Sequence, residues 1–296
     1  MGSKANCGFA DRVARAFGLH VVREAPGPLS RATDPRHVMG VEPEEAGPMQ
    51  VQSAGQTRIL DLERRKALAV GLALIVLPLL LVVLYAYAHV TGGCTFLSIS
   101  HTYYLARIGE VTVGVLMAAG AVMIVFGGGN RLESTAALIA GIAAMGVAAF
   151  PVMGMPCTEG TGDLRLFLPL GAEWPVDAMS DAQFMNRPGW MHSVATVVLL
   201  LAMLYHAAWL FPRIEPHHIE PDGCLRPAKR RRNLIYLGSS LAIVGVAAAM
   251  GLQNAKVIDV TPWDGVFWAE CVALLSFGVA WSVKGRVLPG FYDPDE

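Results

Sequence analysis

Apolar and polar positions in this chain fall into long blocks rather than into a residue-by-residue rhythm. Six runs, at 67–89, 108–126, 134–153, 190–211, 234–252 and 265–283, are almost free of charge. About 20 apolar residues in a helix cross a bilayer core, so each run predicts a transmembrane helix. The pattern therefore predicts an all-α polytopic membrane protein with six transmembrane helices. Pro78 falls inside the first run and predicts a kink, which membrane helices tolerate. Ala136, Ala140, Ala144 and Ala148 recur every four residues beside Gly141 in the third run, a small-residue stripe suited to close helix packing.

The remaining blocks are of a different kind. Residues 1–60 are rich in Pro, Gly, Glu and Arg and read as a largely disordered cytoplasmic tail. Within them, residues 5–20 can form a short amphipathic helix. Its apolar side carries Phe9, Val13, Phe17 and Leu19, suited to a membrane surface or simply to a local helix. The membrane domain occupies 61–286, and 287–296 form a short cytoplasmic C-terminal tail. No cleavable signal is expected, because no apolar h-region follows the first charges.

Composition agrees with this reading. The chain is 54% hydrophobic and only 16% charged, against about 25% charged in soluble domains. A net charge of −1 offers no basis for nucleic-acid binding. The distribution of cations is more telling. With the N-terminus inside, the inner segments hold Arg58, Arg64, Arg65, Lys66, Arg131, Arg213, Arg226, Lys229, Arg230, Arg231, Arg232, Lys284 and Arg286. The outer segments hold only Arg107, Arg165, Arg187 and Lys256. Positive charge is retained inside, so both ends are expected in the cytoplasm. The KRRR run at 229–232 reads first as a topology signal and second as a contact for anionic lipid.

Five cysteines are present, with no CxxC. In this topology Cys7 and Cys224 are inside, Cys271 lies in a helix, and Cys94 and Cys157 occupy outer loops. A Cys94–Cys157 disulfide is the pairing an oxidising outer compartment favours; two free thiols are the alternative.

The stretch SISHTYYLARIGE at 98–110 is the most polar point near the bilayer. Ser98, Ser100 and His101 precede the second helix, and Tyr104 suits an interface. Arg107 and Glu110 share one face at its outer end. His192 opens helix four and Glu270 lies a turn or two into helix six, all at the outer side. Charge buried in hydrocarbon is expensive, so Glu270 should face the bundle with a partner, Arg107 or His192. These groups form either a brace or an outward-facing pocket for a lipid, a small amphiphile or a partner membrane protein. A metal-assisted hydrolase using His192 with Glu110 or Glu270 is the alternative. No HExxH or GxSxG motif accompanies them, so no cofactor or metal is expected.

SISHTYYLARIGEVTVGVL, GIAAMGVAAFP, MHSVATVVLLLAMLYHAAWLF and FWAECVALLSFGVAWSVKG resemble segments of an uncharacterised family of bacterial six-helix inner-membrane proteins. That family carries an S-I-S-x-Y-Y segment before an Arg and acid pair, a helix ending in Phe-Pro, a His opening helix four and a Glu in the last helix. The resemblance spans about residues 67–286 and implies a multi-pass protein of the bacterial inner membrane, with Arg107, Glu110, His192 and Glu270 as its marked positions. It implies no activity. His101 departs from the pattern. The Frag1/DRAM/Sfk1-like proteins are similar in architecture only. Zinc hydrolases of the alkaline ceramidase and adiponectin-receptor kind need a histidine pair near the last helices, and helices five and six here contain none.

Overall fold

A computed structural model of the chain describes residues 7–18, 48–93, 97–105, 108–125, 130–150, 182–286 and 290–291; the side chains of 48–63, 104 and 182–189 lie outside that description. The described residues form seven α-helices. α1 is Phe9–Phe17, α2 Pro48–Thr91, α3 Ile108–Val125, α4 Arg131–Ala149, α5 Ala182–Tyr205, α6 Pro227–Asn254 and α7 Gly265–Lys284. Six segments are long and apolar enough to cross a membrane: Arg64–Thr91, Ile108–Val125, Arg131–Ala149, Trp190–Leu210, Pro227–Asn254 and Gly265–Lys284. The protein is an all-α polytopic membrane protein. Large aliphatics face outward, as a lipid environment demands; Val83, Leu201 and Leu241 are each more than 60% exposed.

Local chemistry sets the helix ends. Asn130 caps α4 by accepting the Glu133 N–H at 3.0 Å, satisfying one of the amides a helix start leaves open. α4 stops at Ala149 although the apolar run continues to Met153, because Pro151 pushes the residue before it out of helical geometry. α2 passes through Pro78 without a break and begins at Pro48. At 44 residues it is roughly 66 Å long, so its first turns project well beyond a bilayer. The expected tail boundary at residue 60 therefore falls inside a helix.

Small residues decide the closest crossings. Ala136, Ala140, Ala144 and Ala148 are all buried, as the stripe predicts. Gly120 of α3 and Gly141 of α4 meet backbone to backbone: a Cβ on Gly120 would lie 2.7 Å from the Gly141 carbonyl oxygen, and the reverse addition 2.6 Å from that of Gly120. Gly71 of α2 and Gly278 of α7 are paired in the same way.

The face bearing 229–232 is closed by polar groups used in packing. Lys229 Nζ donates to the Phe211 carbonyl at 3.2 Å and Arg232 Nη1 to that of Phe291 at 2.8 Å. Both side chains are buried, so half of the KRRR run is structural rather than lipid-facing. Asn233, fully buried, donates to the carbonyls of Ala14 and Pro212, each at 3.1 Å. His206 sits in a π-helical turn, His206–Leu210, and packs against Phe211, Phe277 and Trp281. Lys284 reaches Glu133 at 3.8 Å across α7 and α4.

α1 forms where the pattern places it; Phe17 of its apolar side packs on the core, but the most buried side is a different face. Asp11, Ala14 and Gly18 are buried against α6 and the 212–226 loop, while Phe9 is 75% exposed. The docked side is small and polar because backbone contacts hold it. Asp11 accepts the Leu225 N–H at 2.8 Å, and a Cβ on Gly18 would lie 2.5 Å from the Pro212 carbonyl oxygen. Cys7 and Cys224 form a disulfide with a Cα–Cα distance of 5.8 Å. The pairing expected at Cys94 and Cys157 lies outside the described residues.

Candidate functional site

At the opposite end, residues 97–105 fold over the bundle and continue as the 3-10 turn Ser100–Tyr104. Two anchors hold this loop. Thr102, fully buried, bonds the Thr112 hydroxyl of α3 at 3.0 Å. Glu270 of α7 accepts the Ile99 N–H at 2.5 Å, with the Ser100 hydroxyl at 3.5 Å from its other oxygen. A carboxylate is thus placed over amides that a 3-10 start leaves unsatisfied. The partner expected for Glu270 was Arg107 or His192. Among the described residues its partners are the Ile99 N–H and the Ser100 hydroxyl rather than His192, because the loop folds inward far enough to present its own polar groups; Arg107 lies outside the described residues.

Beneath this loop lies a cavity of about 500 Å³ bounded by α3, α4, α5, α6 and α7. Its outer wall carries Ser98, Ser100, His101, Tyr103, Asp264 and Glu270. Its deeper wall is aliphatic, with Leu116, Leu200, Met203 and Leu274. From His192 to Met203 the α5 wall runs 11 residues, roughly 16 Å. The volume falls in the range of small-molecule sites, about 300–1,000 Å³.

Most of the polar groups described on the wall are held by named partners. His192 is 5% exposed; its Nδ1 lies 2.7 Å from the Phe150 carbonyl, so that nitrogen carries the proton and Nε2 is the acceptor. This bond ties α5 to the end of α4. Ser98 Oγ stands 2.6 Å from His101 Nδ1 and also accepts the His101 N–H at 3.1 Å. Asp264 opens α7 with φ +52°, a left-handed conformation Asp adopts more readily than most residues. Its carboxylate accepts the Tyr85 hydroxyl at 2.7 Å. The Thr196 hydroxyl is buried on the cavity wall and finds no hydrogen-bond partner among the described residues.

Of the positions singled out in the sequence, Ser98, Ser100, His101, His192 and Glu270 come together on this cavity. Glu110 does not: it is exposed and absent from the lining. It starts α3 on the outer side of the helix, whereas Thr112 and Leu116 turn inward. Arg107 and the Tyr104 side chain lie outside the described residues; Tyr103, not singled out in the sequence as a site residue, is buried and lines the cavity. Sequence reasoning passed over Asp264, Tyr85 and Thr196. The Asp-Gly pair at 264–265 was the available signal for a left-handed helix entry; nothing in the sequence marks the other two.

Among the described residues, one group of His, Cys, Asp or Glu ligand atoms gathers within 4.8 Å, and it is Cys7, Asp11 and Cys224 at the other end of the bundle. His101, His192, Glu110 and Glu270 do not form such a group. Comparison of the chain with protein-family models, with characterised proteins and with solved structures yields no match.

Proposed function

We propose that this integral membrane protein holds a lipid or small amphiphile in the cavity under residues 97–105. The polar end of the ligand meets Glu270, His192 and the serines, and its apolar part lies along Leu200 and Met203. One observation carries the reading: the polar groups border open space whose remaining wall is aliphatic, the division an amphiphile requires. The Thr196 hydroxyl adds a buried polar atom that a bound head group can satisfy. The cation count and the likeness to bacterial six-helix inner-membrane proteins support placement in that membrane with the cavity end outward. Native mass spectrometry of the protein released from detergent tests the reading. Wild type should carry a bound lipid that Leu200→Trp excludes and Glu270→Gln weakens, with the fold intact. Equal lipid retention in all three would end it.

One contact favours a second reading. The Ser98 hydroxyl within 2.6 Å of His101 Nδ1 is a nucleophile beside a base, facing a cavity suited to acyl chains. Labelling by a fluorophosphonate, lost in Ser98→Ala, would make the protein an acyl hydrolase. Absence of labelling leaves the pair as the cap of the 3-10 turn.

A further inference from the structure

The second cluster of chemistry lies at the basic face, far from the cavity. Cys7 precedes α1, Cys224 lies in the loop between α5 and α6, and the two are 217 residues apart in sequence. One carboxylate oxygen of Asp11 joins both sulfurs in a group whose members all lie within 4.8 Å of one another. Asp11 is 1% exposed. Its oxygens accept the Leu225 N–H at 2.8 Å and Arg15 Nε at 2.7 Å, and Arg15 also bonds the Gly223 carbonyl. Asn233 grips the Ala14 carbonyl. The trio is held by contacts independent of the sulfur–sulfur bond.

The surrounding charge sets the compartment. Lys229, Arg230, Arg231 and Arg232 start the helix beside this cluster, and the positive-inside rule assigns that face to the cytoplasm. Cytoplasmic thiol pools keep cysteines reduced, and a cysteine pair there more often binds metal or does chemistry than staples a fold. Two thiols and a buried carboxylate, preassembled from two distant parts of the chain, are a sulfur-rich ligand set for a thiophilic cation.

We propose that in the reduced protein Cys7, Cys224 and Asp11 bind one thiophilic divalent cation, zinc by the chemistry of the set, and so clamp α1 to the inner loop. Reduction takes two electrons from low-molecular-weight thiols: two thiols become one disulfide, and the Cys7–Cys224 bond becomes two thiols. Metal binding then releases both protons, leaving two thiolates and one carboxylate on the cation, with water in the fourth position. The three anionic ligands exceed the metal charge by one, and Arg15 offsets it. Thiolates about 2.3 Å from a tetrahedral zinc stand roughly 3.7 Å apart, a separation reached by rotation about the Cα–Cβ bonds. Exchange with a low-molecular-weight disulfide, the reverse of that reduction, takes the two electrons, turns both thiolates into the Cys7–Cys224 bond and expels the metal, so the two clamps exclude each other. The inference does not depend on what fills the cavity.

Full-length protein, purified in detergent under a non-thiol reductant, is titrated with zinc and, as a spectroscopic probe, with cobalt. The expected result is one metal per chain and a near-ultraviolet thiolate-to-cobalt band. Both are lost in Cys7→Ser and in Cys224→Ser, and affinity falls at least about tenfold in Asp11→Asn. If Asp11→Asn fails to fold, the two serine variants decide, since among the described residues the two sulfurs bond only to each other. A reduced, folded wild type without stoichiometric metal overturns the proposal. So does binding that survives Cys224→Ser, or wild-type affinity in a folded Asp11→Asn. Thiol alkylation in intact cells overturns it too if the pair proves permanently oxidised, because the face would then lie in an oxidising compartment.

Discussion

The two ends of the bundle carry similar side chains in opposite circumstances. At the basic end Lys229, Arg232, Asn233 and His206 are buried and spent on carbonyls and ring packing. At the other end Ser98, His192 and Glu270 are also bonded to backbone, yet they border a cavity. Residue type does not separate a brace from a site here, and bonding alone does not either. Among the described residues the separating feature is what each set faces: the basic-end groups pack against rings and a docked helix, and the others border a cavity of about 500 Å³. Glu270 accordingly does both jobs, holding the loop and lining the cavity.

Substitutions can break this comparison, and the largest effect is expected at the closed end. Asn233→Leu strips donors from two buried carbonyls, those of Ala14 and Pro212. The Ala14 carbonyl keeps only the Gly18 N–H of its own helix and loses its bond to α6, while leaving the Pro212 carbonyl unpaired costs about 1–3 kcal/mol, so α1 should undock, seen as rapid hydrogen exchange over residues 9–17. Persistent protection there would mean the closed end is not held by these bonds.

Gly141→Leu comes next. Its side chain meets the Gly120 carbonyl and Ile124 with no room to turn, and overpacking of this kind costs about 1–3 kcal/mol. A clear drop in melting temperature in detergent is expected, and an unchanged midpoint would mean α3 and α4 separate easily.

Acid should act on the closed end as well. His218 is buried, and burial first, then the charge of Lys229 and of His217, push its pKa down to about 2. The unfolded histidine titrates near 6.5, so between about 6.5 and 2 the unfolded loop takes up a proton the folded one refuses. That part of the stability is intact above pH 6.5 and declines as pH falls. Protection factors over residues 214–226, taken relative to the intrinsic exchange rate at each pH, should fall on acidification, and His218→Gln should remove that pH dependence. A flat profile in wild type would place His218 in contact with water.

The smallest effect on stability is expected at the open end. Leu200→Trp adds bulk where the wall faces empty space, so the melting temperature should shift by less than the Gly141→Leu drop. A shift as large as that drop would show the cavity to be closed in solution, and the contrast between the ends would dissolve.

Much of the fold was legible in the chain because a bilayer imposes its thickness on sequence. Uncharged runs near 20 residues located all six spans, and the Ala136–Ala148 stripe marked the buried face of α4. The gathering of Ser98, Ser100, His101, His192 and Glu270 followed from depth, since alternating spans bring those positions to one side. Depth says nothing about azimuth, which is why Glu110 was grouped with them and lies outside. The N-terminal segment shows another limit: its spacing marked a short helix, which forms as α1, but its docking runs through Asp11, Gly18 and backbone carbonyls, contacts that leave no periodic trace.

Span number, helical class and the placement of polar groups along the membrane normal were thus determined by composition and spacing alone, because each responds to local burial cost. The tertiary structure decided which polar groups share a space and which partner each accepts. It also decided that Cys7 meets Cys224 across 217 residues. Those outcomes depend on how helices rotate and cross, and a one-dimensional pattern carries no information about either.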